Sequence, residues 1–189
     1  MNFEGAKQIL LFFHLTARLL YHSSFPEIEE QTMLIKSVSL RNIRSYENQT
    51  IVFPPGSLLL SGDIGAGKST ILLAIEFALF GMRRTDLTGS ALLRHGSQKG
   101  EVELAFSLDG REITIKRILK RGKDDIKQEA GYIIINGIKK EGTHVELKAI
   151  VLDLLGYPKD LLAMSRDLLF RYTVYTPQEA MKQIITEEK

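Results

Sequence analysis

Residues 62–69 of this 189-residue chain read Gly-Asp-Ile-Gly-Ala-Gly-Lys-Ser, and this stretch decides how the rest is interpreted. It fits the pattern Gly-x-x-x-x-Gly-Lys-Ser/Thr, a glycine-rich loop whose backbone N–H groups surround phosphate groups. The apolar run at residues 58–60 predicts a short buried strand before the loop. Residues 71–80 carry Glu76 as their only charge and predict a helix buried on nearly every side. A strand, a glycine-rich turn and a helix N-terminus in this order predict an anion site.

The chemistry of the loop assigns roles to its residues. Lys68 is expected to reach the β- and γ-phosphates of a nucleotide, and Ser69 is expected to place its hydroxyl on Mg²⁺. The residues predicted to contact the nucleotide here are Gly62, Asp63, Ile64, Gly65, Ala66, Gly67, Lys68, Ser69 and Thr70. The competing interpretation is a glycine-rich turn at a strand–helix junction that binds nothing.

Composition limits the class of protein. A hydrophobic content of 44% in a chain of this length is enough for one domain with a real core. The absence of cysteine excludes a disulfide framework and a thiolate zinc site, which agrees with a reducing compartment. An apolar run at residues 9–13 is interrupted by His14 and Arg18 before the roughly 20 residues of a membrane span accumulate. We therefore expect a cytoplasmic protein with no membrane partner.

The pattern of the chain predicts an antiparallel β layer. Strand-like runs at residues 34–40 and 50–52 flank a polar stretch at 41–48, and Gly81 is a natural stop for the helix after the loop. Residues 82–99 read as irregular. Apolar alternation over residues 102–108, a turn at 109–110, a return strand at 111–120 and a strand at 132–136 then build the layer.

A capping box, Thr143 followed by Glu146, predicts a helix up to Gly156. Residues 150–153 resemble the apolar run and aspartate of a Walker B strand, but the cap and the helical period place Asp153 on a helix. Further helices are predicted at residues 159–170 and from 179, with a β-prone run at 172–178 between them.

A basic segment lies between Arg111 and Lys127, where seven basic residues oppose three acidic ones, giving 7 − 3 = +4. The segment is either a footprint for a phosphate backbone or the solvated face of a hairpin. No aromatic residue is interleaved among the charges to stack bases.

Several separated features resemble the SMC-like ATPases of DNA double-strand break repair, whose ABC-type heads consist of two ATPase halves separated by a long coiled coil. Residues 34–46 resemble their first strand and Asn-Phe-Arg-Ser turn, which implies that Arg44 approaches the nucleotide. Ile64 stands where the family usually has asparagine, so one side-chain bond to phosphate would be missing. Residues 93–96 resemble the segment after the family's helix. Residues 174–178 resemble the Q-loop, which implies that Gln178 contacts Mg²⁺ or the attacking water.

The resemblance implies an α/β fold, the amino-terminal lobe of an ABC-type P-loop NTPase head with an antiparallel β layer. It covers residues 33–189, which would end at the start of a coiled-coil helix, and we interpret residues 1–32 as an upstream or non-native extension. The implied cofactors are ATP and Mg²⁺, with Lys68 and Gln178 as catalytic residues and Ser69 and Gln178 as metal ligands. The implied partners are a carboxy-terminal lobe of the same ATPase, a second head in a homodimer, DNA and a nuclease.

Several family motifs are missing from the sequence: the Leu-Ser-Gly-Gly signature, the Walker B Asp-Glu pair, the switch histidine, a heptad stretch and a Cys-x-x-Cys hook. In the family these lie in the coiled coil or the carboxy-terminal lobe. We therefore expect an ATP-binding half-head that hydrolyses ATP only when a carboxy-terminal lobe completes it.

Two other functions remain open. A small P-loop kinase for a metabolite would alternate βα units around a parallel sheet, whereas only one such unit is evident here. A degenerate fragment would keep the loop without using it and bind nucleic acid through its basic hairpin.

Overall fold

A six-stranded antiparallel sheet organises the computed structural model, which describes residues 33–56, 58–63, 65–82 and 87–156. The strand order is β2-β1-β3-β4-β5-β6. The strands are β1 (Met33–Ile43), β2 (Tyr46–Val52), β3 (Lys99–Leu108), β4 (Arg111–Arg121), β5 (Ile126–Ile135) and β6 (Ile138–Gly142). The helices within these ranges are α1 (Lys68–Phe80), α2 (Gly89–Leu92) and α3 (His144–Leu154).

One face of the sheet is apolar and forms the core with α1. The alternation predicted along β3 is confirmed, because Val102, Leu104, Phe106 and Leu108 are all buried. The predicted turns at Asp109–Gly110 and Asn136–Gly137 are also confirmed. All four residues have positive φ, between 49° and 83°, as two-residue hairpin turns require.

The two longer helices lie where they were predicted, although α1 begins three residues earlier, at Lys68. Helix α1 is buried along most of its length and ends at Gly81, whose positive φ of 79° is a value that favours glycine. At α3 the capping box is present: Glu146 N donates to Thr143 Oγ1 at 3.3 Å, and Thr143 N donates to Glu146 Oε2 at 2.8 Å. Asp153 lies within α3, which confirms that residues 150–153 are not a Walker B strand.

The predicted strand at residues 58–60 is wrong. The segment 58–63 is neither helix nor strand, and the exposed fractions of Leu58 and Leu59 are 45% and 86%. A buried central strand needs a sheet neighbour on each side, and no strand within the described ranges pairs with this segment.

Smaller boundary predictions also require correction. The polar stretch 41–48 is mostly strand, since β1 runs on to Ile43 and β2 begins at Tyr46, leaving Arg44 and Ser45 as the turn. The sequence also missed α2, the start of β5 and the whole of β6.

The other face of the sheet carries a polar network centred on Glu101. Its carboxylate lies 2.8 Å from both Lys99 Nζ and Lys116 Nζ. Nearby, Tyr132 donates to Glu103 Oε2 at 2.6 Å. Burial and the bond to Glu103 raise the pKa of Tyr132 to about 12. Burial alone would raise the pKa of Glu101, but the hydrogen bonds and charges of Lys116 and Lys99 outweigh it and lower that pKa from 4.5 to about 2.

The lowered pKa of Glu101 predicts a pH-dependent contribution to stability. A carboxylate with a depressed folded-state pKa stabilises the fold above its unfolded value, and this contribution is lost as pH falls through the folded value. Glu101→Gln is therefore expected to lower the free energy of unfolding by about 1–2 kcal/mol at pH 7, after allowance for solvent screening. The difference from wild type should shrink as pH falls from 4.5 towards 2.

Urea denaturation of both proteins at a series of pH values measures this difference. Glu112→Gln is the matched control, because Glu112 pairs with Lys36 at 2.6 Å but is 60% exposed. The control should change stability by less than about 0.5 kcal/mol at every pH. If Glu101→Gln remained less stable than the wild type by the same amount at pH 2, the lowered pKa of Glu101 would be contradicted.

Several predictions lie outside the described residues. These concern the extension at residues 1–32, the helices at 159–170 and from 179, and the β-prone run that contains Gln178. Among the helices in the described ranges, none has both the length and the apolar character needed to cross a membrane.

Candidate phosphate-binding site

The glycine-rich loop adopts backbone conformations that favour glycine. Gly62, Gly65 and Gly67 have φ of 145°, 86° and 90°. Side chains rarely adopt this region, so the glycines permit the sharp turn into α1. Gly67 is the N-cap of α1, and its carbonyl accepts bonds from Thr70 N at 2.9 Å and Ile71 N at 3.4 Å.

The N-terminus of α1 fits an anion. No side chain caps it, and its first turn contains no acidic residue. The positive end of the helix dipole and the first N–H groups are therefore left without a negatively charged side chain of the helix itself. Residues 65–66 on the approach to the helix are exposed. This is the arrangement expected for a phosphate cradle.

Lys68 is folded back over the loop. Its Nζ donates to the carbonyl oxygens of Gly62 at 2.5 Å and Asp63 at 2.8 Å. The ammonium group therefore lies directly above the loop that would hold the phosphates. Neutral carbonyls bind a cation less strongly than phosphate oxygens do, so a bound phosphate would compete for it.

The other predicted loop residues differ in accessibility. Ser69 is exposed at the start of α1, so its hydroxyl is accessible to a metal ion, whereas Thr70 is buried and its N–H donates to Gly67 O. Ile64 and Gln178 are not among the described residues. Within those residues, no group of three or more His, Asp or Glu side chains is placed to hold a metal ion.

Arg44 lies in the tight turn between β1 and β2. Its φ is 49°, an uncommon value for a residue other than glycine, and its side chain is exposed. Its N–H donates to Leu92 O at 2.8 Å. Two residues further on, the Tyr46 hydroxyl donates to Gly67 O at 3.3 Å. The structure thus brings the turn that carries Arg44 next to the glycine-rich loop.

Two further residues at this site were missed by sequence reasoning. One is Tyr46, whose ring lies against Gly67 so closely that a Cβ at position 67 would be 2.8 Å from its hydroxyl. The other is Arg94, which contacts the turn at residues 44–45. Both lie within segments that resemble the family, but only the folded chain shows which residues they contact.

Arg117 lies at the opposite end of α1 and is completely buried. Its Nε donates to Ala78 O at 2.6 Å and its Nη2 to Leu79 O at 3.0 Å. Burial lowers the pKa of Arg117 to about 10, so the guanidinium remains charged at neutral pH. A cation at the negative end of the helix dipole stabilises α1 and fixes it to β4.

This placement corrects the interpretation of the basic segment. Arg117 was counted toward the +4 charge of the hairpin but faces the core, away from any polyanion. Three of the lysines have carboxylate partners within 4.0 Å: Lys116 with Glu101, Lys120 with Glu129 and Lys127 with Asp125. The hairpin therefore presents less free positive charge than the sequence suggested.

Comparisons with known proteins identify the relatives of this chain. Residues 37–189 match the family described as AAA domain. The DNA double-strand break repair Rad50 ATPases of Thermoplasma volcanium and Thermoplasma acidophilum are each 30% identical to the chain. Each alignment covers 82% of this chain but only 16% of the relative, so the chain spans about a sixth of their length.

A solved structure shares the fold. The Smc head domain with a coiled coil and joint from Pyrococcus yayanosii superposes with a TM-score of 0.52 at 24% identity, covering 75% of this chain and 32% of that one. This similarity concerns the fold alone, and it confirms the predicted α/β P-loop class with an antiparallel β layer. The predicted resemblance to SMC-like repair ATPases is confirmed as well. The chain therefore belongs to the AAA domain family, as a homologue of the Rad50-type P-loop ATPases.

Proposed function

We propose that residues 33–189 bind Mg-ATP as the amino-terminal half of an SMC-like ATPase head and do not hydrolyse it without a carboxy-terminal lobe. The observation that carries the proposal is the uncapped N-terminus of α1, with the Lys68 ammonium poised above the glycine-rich loop. The Rad50 relatives, which are named as ATPases of DNA double-strand break repair, support the same function.

Each residue of the site has a stated task in this proposal. The backbone N–H groups of the loop bind phosphate oxygens, and Lys68 exchanges the Gly62 and Asp63 carbonyls for the β- and γ-phosphates. Ser69 and Gln178 would hold Mg²⁺, and the ion, when bound, neutralises charge that develops on the phosphates. Arg44 would approach the nucleotide from the β1–β2 turn.

The proposed carboxy-terminal lobe accounts for the exposed leucines before the loop. Leu58 and Leu59 lie on a segment that makes no sheet pairing within the described residues. Apolar side chains and unpaired backbone groups are what an added strand would cover.

We further propose that two such heads pair as a homodimer. Binding of DNA and of a nuclease partner are weaker proposals, since most lysines of the basic hairpin already pair with carboxylates.

The test is a titration of the full chain with a fluorescent ATP analogue and Mg²⁺. Lys68→Ala removes the cation above the loop and should weaken binding by about 10- to 100-fold, as expected for a lost hydrogen bond to a charged group. Lys36→Ala is the matched control, because Lys36 is an exposed lysine on β1 that pairs only with Glu112 among the described residues. Lys36→Ala should bind the ATP analogue with the same affinity as the wild type.

Equal affinities of wild type and Lys68→Ala would refute the nucleotide site. Phosphate release measured in the same samples tests the second half of the proposal. The chain alone should release no phosphate, and addition of a carboxy-terminal lobe should restore turnover. Phosphoryl transfer to a small acceptor by the chain alone would instead favour the kinase alternative.

A further inference from the structure

We propose that Arg94 and Tyr46 are positioning residues that hold Arg44 at a fixed place beside the glycine-rich loop. The inference rests on the proposed function, because it assigns these residues to the same nucleotide site. It concerns the short turn between β1 and β2, which is attached on one side to the segment after α2 and on the other side to the loop.

Arg94 attaches the first side of the turn through its guanidinium group. Nη1 donates to the carbonyl oxygens of Arg44 and Ser45, both at 3.1 Å, and Nη2 lies 2.8 Å from Glu47 Oε1. One planar guanidinium group therefore contacts both residues of the turn and Glu47 at the start of β2. The fork geometry of arginine fixes direction as well as distance, which a lysine in this position would not do.

The backbone reinforces this attachment. Arg44 N donates to Leu92 O at 2.8 Å, and Arg94 N donates to Asn42 O at 3.0 Å. Asn42 and Arg44 both have positive φ, of 52° and 49°. Asparagine adopts this region readily, but an arginine persists there only where the surroundings over-determine it, and such residues cluster at functional sites. Here the surroundings are the segment 92–94 and the Arg94 side chain.

Tyr46 attaches the second side of the turn to the glycine-rich loop. Its hydroxyl donates to Gly67 O, and its ring fills the space in which a side chain at position 67 would lie. Because Gly67 is the N-cap of α1, this contact holds the start of β2, next to the turn, against the helix end that is proposed to bind the phosphates.

The contacts of Arg94 are suited to positioning rather than to stabilising the fold. The Arg94 side chain is 32% exposed and its partner Glu47 is 75% exposed, so the ion pair contributes little to stability. The same contacts can still matter for the position of Arg44, since a small misplacement of a group at a reaction site has a large effect on binding and chemistry. Loss of the fork would let Arg44 move while the sheet stayed folded.

A double-mutant cycle on nucleotide affinity in the full chain tests this inference. Arg44→Ala and Arg94→Gln are each expected to weaken binding of the fluorescent ATP analogue by about tenfold, and the double variant by about tenfold rather than a hundredfold. Tyr46→Phe keeps the ring and removes the hydroxyl, so this variant should bind the analogue about threefold more weakly than the wild type. Arg111→Gln, an exposed arginine on β4, is the matched control and should bind as the wild type does.

Two readouts separate positioning from a structural role. The melting temperature of Arg94→Gln should stay within about 2 °C of the wild type, as expected for a surface substitution. Without nucleotide, hydrogen exchange at the Arg44 amide should be faster in Arg94→Gln, because the turn is no longer held.

The possible failures are distinguishable. If the wild type and Lys68→Ala bind equally, the proposed function is wrong, and with it any role of the turn at a nucleotide. If the wild type binds and Arg94→Gln binds as tightly, the nucleotide site stands and the inference is overturned. Additive losses in the double variant, or a melting temperature lowered by several degrees, would overturn it as well. Unchanged exchange at Arg44 would show that Arg94 does not hold the turn.

Discussion

Arg117→Ala is expected to lower the free energy of unfolding by about 3–5 kcal/mol. The substitution removes a buried side chain that fills space between α1 and β4, which leaves a cavity. It also leaves the carbonyls of Ala78 and Leu79 without the donors they have at 2.6 and 3.0 Å. Buried acceptors without a partner retain the full cost of losing water, so the two effects add.

Thermal melting of the full chain measures the loss. For a domain of this size, a loss of this magnitude should lower the melting temperature by roughly 10 °C. Arg111→Ala is the matched control, because Arg111 is exposed at the start of the same strand, and its effect should be within about 0.5 kcal/mol. A melting curve of Arg117→Ala that coincides with the control would contradict the assignment of Arg117 to the end of α1.

Gly131→Ala is expected to destabilise the fold by about 2–4 kcal/mol, because β5 passes β4 with no room for a side chain. The register of the two strands shifts between Lys116 and Ile118, opposite Gly131. A Cβ at position 131 would overlap the carbonyl oxygen of Lys116 and lie 3.2 Å from Leu147 Cδ1. The backbones of β4 and β5 must therefore separate, or α3 must move.

Gly142→Ala is the matched control for this substitution. Gly142 is also a strand glycine, but a Cβ there would meet the Glu146 side chain at 3.4 Å, which is ordinary contact. Urea denaturation should show stability near that of wild type for Gly142→Ala and a clear loss for Gly131→Ala. Equal stability of the two variants would mean that the strands can separate at the bulge without cost.

The sequence predicted the elements whose signals are local. Alternation in β3, the turn at Asn136–Gly137 and the capping box of α3 each depend on residues close along the chain, and all three are confirmed. The prediction failed for residues 58–60, because an apolar run reveals preference for burial but not whether a neighbouring strand is present. Strand β6 was missed because its exposed, charged residues show no apolar alternation.

The candidate site also combines features with local sequence signals and contacts between residues that are distant in the chain. The glycine-rich loop could be recognised from its contiguous spacing, and its binding of a nucleotide stays a prediction that depends largely on backbone N–H groups. The contacts of Arg94 with Arg44 and of Arg117 with the end of α1 join residues that are far apart in the chain. In the sequence, Arg117 appeared as one more charge of a basic hairpin. Only its burial shows that its partners are backbone carbonyls.

The order of strands in the sheet has a consequence for how the chain folds. Strands β3 to β6 pair with their neighbours in sequence, and so do β1 and β2, so both groups require only short loops to close. The pairing of β1 with β3 is different, because the glycine-rich loop and α1 both lie between them in sequence. Closing this long connection costs the most chain entropy. We therefore expect the two hairpin groups to form early and their joining to limit the folding rate, with the glycine-rich loop reaching its final shape only in that last step.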